Sequence, residues 1–531
     1  MRKTVKKLTA VGLTVTSVLG LVACGSSKGT TSQGTSENKE VTKPDTFTVM
    51  CDGTVVTETN GAEAFYKQLN EATGLDIKWT RPDHASYYDA VANAFNSDDT
   101  MPDVVLLSSD YYALYASNGF LWNMTDAWEH SETKNSGRLI STADNVLSAL
   151  MVNGEDGTKA MYGLSLYRGN GCCTYVKKAW LDKAGIDASK VKDVQMDFNT
   201  YYGYLKQMAQ TMGHYVISSP GFIHPEAPNT NYLPEFYQKA QYTFYKDTSG
   251  KYVDGFAQQE MKEALQRIQT AVNDGVIDKE SVNNSTANAR DKFYSTDPST
   301  ETGVFTYWAG TWANTLKTNL ANKGLDDELI AIKPIKELGA YTERIAPCWC
   351  ITSAAKNPEG IFKYFIDKML DGGDVQMLWT HGAKGTHWDD KAETVTVEKK
   401  EDQPKTYTEG QFHYLPGIEK PDQWQTKNHI DPILSIANFT NGYVGESLIP
   451  EVARENGEFF AENSQVAVPL PMTSELSNNI GDINTARTYV IAQVALGYMT
   501  VDEGMDYYNK TVGSLSNAVL KSLNTFSETL S

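Results

Sequence analysis

The chain has 531 residues and a formal charge of −19, from 66 acidic and 47 basic side chains. A single hydrophobic core does not keep growing to this length, so two or more lobes are expected. No cluster of Lys and Arg offsets the negative charge, which excludes nucleic acid as a partner, because phosphate contacts need such clusters.

The first residues read as a targeting segment. Arg2, Lys3, Lys6 and Lys7 precede an uncharged apolar run over 8–23, shorter than the roughly 20 residues a membrane-spanning helix needs. Together they mark residues 1–23 as a secretory signal peptide. Leu21, Val22, Ala23, Cys24 and Gly25 resemble the bacterial lipobox, in which the Cys becomes the new N-terminus and carries diacylglycerol. Cys24 is the expected lipid-attachment site; an ordinary signal with a chance Cys is the alternative. Ser, Thr, Gly, Lys and Glu dominate the following stretch, so 24–45 reads as the lipidated Cys and a flexible linker. Removing the four basic signal residues from the total leaves the remainder near −23. No later run approaches 18 apolar residues, so the folded part is expected to sit outside the cytoplasmic membrane, tethered by its lipid.

Residues 46–51 form a β-rich run ended by Asp52 and Gly53. Phe65, Leu69 and Ala72 then recur at helical spacing until Gly74. A second strand is expected over 75–79 and a helix over 87–95. The continuous apolar run Val104, Val105, Leu106, Leu107 suits a buried parallel strand. This alternation implies an α/β layered domain. Further along, helices are expected over 175–185 and 198–208, a short strand over 215–217, and a hairpin over 244–253 around Asp247 to Gly250. An amphipathic helix over 261–272, a strand over 303–306, a helix over 358–370 and terminal helices over 486–496 and 501–509 complete the pattern. Of the five later cysteines, Cys51, Cys172, Cys173, Cys348 and Cys350, an odd number cannot all pair within one chain. They read either as small buried residues on strands or as a disulfide between the 172–173 and 348–350 clusters. Metal or thiol chemistry is a third alternative.

Several segments carry a family resemblance. Tyr-Ala-Ser-Asn-Gly-Phe-Leu at 115–121, Lys-Ala-Trp-Leu-Asp-Lys-Ala-Gly-Ile at 178–186, and Asn-Asp-Gly-Val-Ile-Asp at 273–278 are similar, in order and spacing, to segments of the family 1 extracellular solute-binding proteins of carbohydrate ABC importers. The aromatic loop at 305–312 and His-Gly-Ala-Lys-Gly-Thr-His-Trp at 381–388 resemble the same family, in particular its long Gram-positive lipoproteins. The likeness spans residues 46 to 400. It implies a two-lobed, periplasmic-binding-protein-like (type II) α/β fold with a hinge and an interlobe cleft. The N-terminal lobe would take 46–171 and part of 346–420, and the C-terminal lobe 172–345 and part of 421–531. The implied function is capture of a sugar, an oligosaccharide, and delivery to an ABC transporter permease by a monomeric, non-enzymatic receptor without cofactor or metal. Two departures stand out. Lys384 replaces the Glu usual in its segment, and 210–214 lacks the carboxylates of the calcium loop found in many long relatives.

A sugar presents hydroxyls in its ring plane and apolar C–H faces, so its cleft needs flat aromatic rings and side chains such as Asp, Asn and Arg. The 29 Tyr and ten Trp suit that need. Tyr307, Trp308 and Trp312 follow a predicted strand and are the first candidates, or else they pack the second lobe. Asp52 follows the first strand; Ser109, Asp110 and Tyr111 follow the third, where ligand sites of such sheets form. Arg168 and Asn170 precede the expected crossover between lobes, and Trp349 lies near the return crossover. Phe222, His224 and Trp388 sit on loops resembling cleft loops of the family, with a structural role as the alternative for each. A peptide or other solute is the second ligand class. A secreted glycoside hydrolase, which would need two carboxylates about 5–10 Å apart, is the third reading; no His-Glu-x-x-His, Gly-x-Ser-x-Gly or P-loop is present.

Overall fold

The computed structural model describes residues 41–53, 61–83, 86–139, 143–155, 157–165, 169–192, 194–223, 231–325, 327–395, 405–415, 450–468, 470–471 and 473–529. Cys24, Arg168 and His224 lie outside them, as does the side chain of Asp110. The last residues of the expected linker are docked on the fold. Asn357 donates to the Thr42 carbonyl at 3.0 Å, Lys43 reaches the Thr73 carbonyl, and Pro44 is buried.

In chain order, the strands that position the site are β1 (Thr46–Met50), β2 (Asp76–Thr80), β3 (Val104–Leu107), β4 (Gly163–Leu164), β5 (Cys172–Lys177), β6 (Val304–Trp308), β7 (Leu329–Ala331), β8 (Tyr341–Glu343), β9 (Cys348–Ile351) and β10 (Ser464–Val466). The helices used below are α1 (Ala62–Thr73), α2 (Thr286–Phe293), α3 (Thr311–Asn322), α4 (Glu451–Glu462), α5 (Ser474–Ala495) and α6 (Val501–Thr529).

The N-terminal lobe is built on a sheet of order β2-β1-β3-β9-β4. β1 runs parallel to β2 and β3, and β9 lies antiparallel to β3 with Cys348 opposite Leu107. All four residues of β3 are buried, as a central strand covered on both faces requires. α1 packs Phe65 and Leu69 inward and stops at Gly74, whose φ of 63° lets its N–H reach the Asn70 carbonyl. The helix expected over 358–370 is not uniform. It is α-helical over Pro358–Ile361, π-helical over Phe362–Ile366 and 3₁₀ over Asp367–Leu370. Phe362, Phe365, Ile366, Met369 and Leu370 are all buried there, and the Asp367 carboxylate accepts the N–H groups of Glu132 (2.8 Å) and Thr133 (3.1 Å).

In the C-terminal lobe β5 is central, with β6 and β7 antiparallel on either side. The helix expected over 175–185 begins only at Lys178. Tyr175, Val176 and Lys177 end a strand in which every residue is buried, where β-branched and aromatic side chains pack on both faces. The 215–217 segment contributes only isolated parallel bridges from Ile217 to Ile277 and Val304. The hairpin forms between Phe244–Lys246 and Tyr252–Asp254. The two terminal helices are far longer than expected and pack against each other as α5 and α6.

All five described cysteines are free and buried. The two clusters sit in different sheets, on β5 and β9, so the disulfide alternative does not hold. Burial pushes the thiols of Cys51, Cys173 and Cys348 up to about 12, which keeps them unreactive at neutral pH.

Residues 169–171 and 341–347 run side by side between the lobes. The Arg344 N–H donates to the Asn170 carbonyl at 3.1 Å. A Cβ on Gly169 would lie 1.4 Å from the Arg344 carbonyl oxygen, and one on Gly171 2.1 Å from that of Thr342. Only glycine permits this approach. α4 touches both lobes: Ala453 joins the N-terminal core and Phe460 the C-terminal core, and β10 then pairs in parallel with β8.

Candidate ligand-binding cleft

Strand register locates the cleft. The end of β3 lies opposite the start of β9, which enters from one crossover, and Trp308 at the end of β6 lies opposite Cys172, where β5 leaves the other. The carboxyl ends of β1, β3 and β6 therefore face the junction between the lobes, where ligand sites of such sheets form.

On the N-terminal side, Asp52 is buried just past β1. Tyr111 is half-buried on the helix Ser109–Ser117 and stacks face to face on Tyr88, centroids 4.0 Å apart and planes 5° apart. The Tyr88 hydroxyl accepts the Ser108 N–H at 2.8 Å, and burial raises its pKa to about 12. Neighbouring Tyr87 points inward, its hydroxyl donating to Leu106 at 2.7 Å. The Tyr-Tyr pair thus splits between core and site, a division sequence reading did not anticipate.

On the C-terminal side, Tyr307, Trp308 and Trp312 bracket the turn from β6 into α3. Tyr307 is buried, with the edge of Trp312 5.0 Å away at 88° and Tyr232 stacked at 6.0 Å. Trp308 and Trp312 are half-buried. The turn is held from three directions. The Asn170 amide donates to the Ala309 carbonyl at 2.9 Å. Oδ1 of Asn456, from α4, accepts the Gly310 N–H at 2.7 Å. The Tyr175 hydroxyl lies 3.0 Å from the Trp308 carbonyl and 2.9 Å from Asn456 Oδ1. Two arginines complete the set: Arg290 of α2 donates to the Tyr307 hydroxyl at 2.9 Å, and Arg344 lies 4.6 Å over the Trp308 ring. Sequence reading missed Arg290, Arg344 and Asn456, which lie 17 to 148 positions from the rings they serve and carry no local motif.

Three candidates are placed elsewhere. Trp349 is 2% exposed on β9, edge-on to Phe365 and Trp379 at 5.9 Å each, so it fills the N-terminal core instead of facing a ligand. Phe222 is buried in the C-terminal core, and its carbonyl accepts the Tyr237 hydroxyl. Trp388 stacks on Phe412 at 5.1 Å and donates to the Gly382 carbonyl at 2.9 Å. Its loop packs on α1, where Lys384 N–H meets Gln68 at 3.0 Å.

No protein-family model and no curated protein matches the chain. Solved structures do. An extracellular solute-binding protein from Bifidobacterium longum subsp. infantis superposes with a TM-score of 0.60 at 15% identity, over 92% of this chain and 98% of that one. An extracellular solute-binding protein family 1 structure from Alicyclobacillus acidocaldarius gives 0.58 at 14% identity, over 90% and 100%. An HMO-binding, ABC-transporter-associated solute-binding protein from Bifidobacterium longum infantis gives 0.56 at 14% identity, over 91% and 98%. The fold is the two-lobed, type II solute-binding-protein fold.

Within this solute-binding-protein fold one acid stands apart from the cleft. Glu235 is buried under β5 and has no ion pair among the described residues; Thr174 donates to it at 2.8 Å and Tyr341 at 3.3 Å. Desolvation lifts its pKa from 4.5 to about 7. The folded state therefore holds a proton that the unfolded chain releases once the pH exceeds 4.5. Stability is highest below that point and falls as the pH rises through 7, by about 3 kcal/mol in all. Glu235→Gln should flatten this dependence, so urea unfolding at pH 5 and pH 8 should differ less for the variant than for the parent. An unchanged difference would remove Glu235 as the cause.

Proposed function

We propose that this chain is an extracytoplasmic receptor, anchored through Cys24, that captures a sugar, an oligosaccharide, in the interlobe cleft and delivers it to the permease of an ABC importer. The observation that carries the reading is the Tyr307–Trp312 turn. Half-buried Trp308 and Trp312 flank the turn at the strand end, backed by buried Tyr307, and three separate elements pin the backbone that presents them. Aromatic faces pack against the C–H faces of sugar rings, and the stacked Tyr88–Tyr111 pair adds a second surface from the opposite lobe. One structural neighbour, an HMO-binding protein associated with an ABC transporter, supports the same ligand class. The two lobes would close about the paired crossovers. The signal-like start and Cys24 support the lipid anchor.

Calorimetric titration of the soluble chain, from about residue 41 onward, with plant, host and storage oligosaccharides tests the reading. Saturable heat is expected with one class, and Trp308→Ala or Trp312→Ala should each weaken it at least tenfold, about 1.4 kcal/mol. Heat from peptides alone would move the ligand to that class. Product formation without stoichiometric binding would replace the receptor with a hydrolase.

A further inference from the structure

The geometry points to an acidic saccharide: a sugar carboxylate received by Arg344, with Arg290 as the second cation of the site. This inference rests on the receptor reading above and narrows its ligand. The arrangement runs against composition, because the chain as a whole carries −19, yet both tryptophans of the β6–α3 turn are capped by guanidinium groups. Arg344 lies 4.6 Å over Trp308, and Arg290 lies 5.1 Å over Trp312 and 5.5 Å over Tyr307. The direction of α2 puts Arg290 at the cleft end. Phe293 stacks on Phe305 at 5.1 Å, while Arg290, nearly one turn earlier, reaches Tyr307, two residues further toward the strand end.

Buried Arg487 and half-buried Arg267 use their donors inside the protein. Arg487 pairs with Asp254, and Arg267 donates to the carbonyls of Phe236 and Tyr237. Arg344 does not. Among the described residues its side chain makes no hydrogen bond and no ion pair, and its Nε is buried without a partner. Arg290 commits one nitrogen to Tyr307 and has no carboxylate partner among the described residues. A planar carboxylate matches the guanidinium fork in two parallel hydrogen bonds, which a neutral hydroxyl does not. A cation above each ring also disfavours positively charged amino sugars. Repulsion from the acidic surface is screened beyond about 8 Å at physiological salt, so the two nearby cations dominate at the site.

The test is calorimetry on the soluble chain with uronic-acid and sialic-acid-capped oligosaccharides, each beside its neutral methyl ester and a sulfated counterpart. At least one acid should bind tenfold or more tightly than its ester. That preference should shrink with added salt and disappear in Arg344→Gln, whose melting temperature should match the parent. Arg290→Lys, which retains charge, should keep more of the preference than Arg290→Gln. Binding of neutral sugars with no gain for any acid, or a preference that survives Arg344→Gln, would overturn the inference and leave the receptor intact. Tighter binding of the sulfated form would overturn the carboxylate assignment. Silence from every sugar beside heat from another solute would sink the receptor reading, and this inference with it.

Discussion

Arg487→Met should lower stability by about 3–5 kcal/mol, the cost of leaving one member of a buried ion pair without the other. Arg487 on α5 is 0% exposed. Its guanidinium donates to Asp254 at 2.8 Å, to Asn484 at 3.2 Å and to Tyr508 at 3.3 Å, and Phe244 lies 4.9 Å from its centre. Asp254 ends the Tyr252–Asp254 strand and also accepts from Tyr508 and Ser516 of α6 at 2.6 Å each. One carboxylate thus ties both C-terminal helices to the lobe. With Arg487 gone, the hydrogen bonds to Asp254 from Tyr508, Ser516 and the Phe256 N–H remain but its charge is uncompensated, so the loss should be cooperative. Asp254→Asn in the same chain removes that stranded charge, and the double variant should cost clearly less than the sum of the singles. Denaturant unfolding measures both quantities. A loss below about 1 kcal/mol for Arg487→Met, or strict additivity, would show that the pair is not the anchor.

Gly169→Ala should cost about 1–3 kcal/mol or more, because the added methyl meets backbone. At 1.4 Å from the Arg344 carbonyl oxygen, no rotamer change relieves the contact. The two crossovers must separate. That strains the Arg344 N–H to Asn170 hydrogen bond and, through Asn170, the grip on Ala309. The variant should therefore melt lower and bind ligand more weakly than stability alone explains. Paired thermal unfolding and ligand titration check this. An unchanged melting temperature would mean that the crossovers have slack; a lower one with unchanged affinity would uncouple them from the aromatic turn.

The local elements were legible because their signals are local. Helical spacing with a terminal Gly marks α1, and an all-apolar run marks β3. The boundary at 175–178 was displaced where a fully buried strand runs directly into a helix and periodicity carries no boundary, and the two terminal helices outran the expected 486–496 and 501–509. The candidate site was legible in part. β1 and β3 run parallel and so present the residues that follow them at one end of the N-terminal sheet, while Trp308 at the end of β6 pairs antiparallel with Cys172 beside a crossover.

Sequence alone determined the first strands and helix of the N-terminal lobe, the 244–253 hairpin, the leader-like start, and the aromatic run of Tyr307, Trp308 and Trp312. Each of these depends on neighbours within one or two turns of chain. Tertiary structure decided which aromatics the core consumes: Trp349 and Phe222 are buried by side chains brought in from distant segments. It also decided what holds and charges the aromatic turn. Asn456 arrives from α4, Arg290 from α2 and Arg344 from a crossover. Burial and pairing are properties of segments that meet only when the lobes assemble, and no pattern along the chain encodes that meeting.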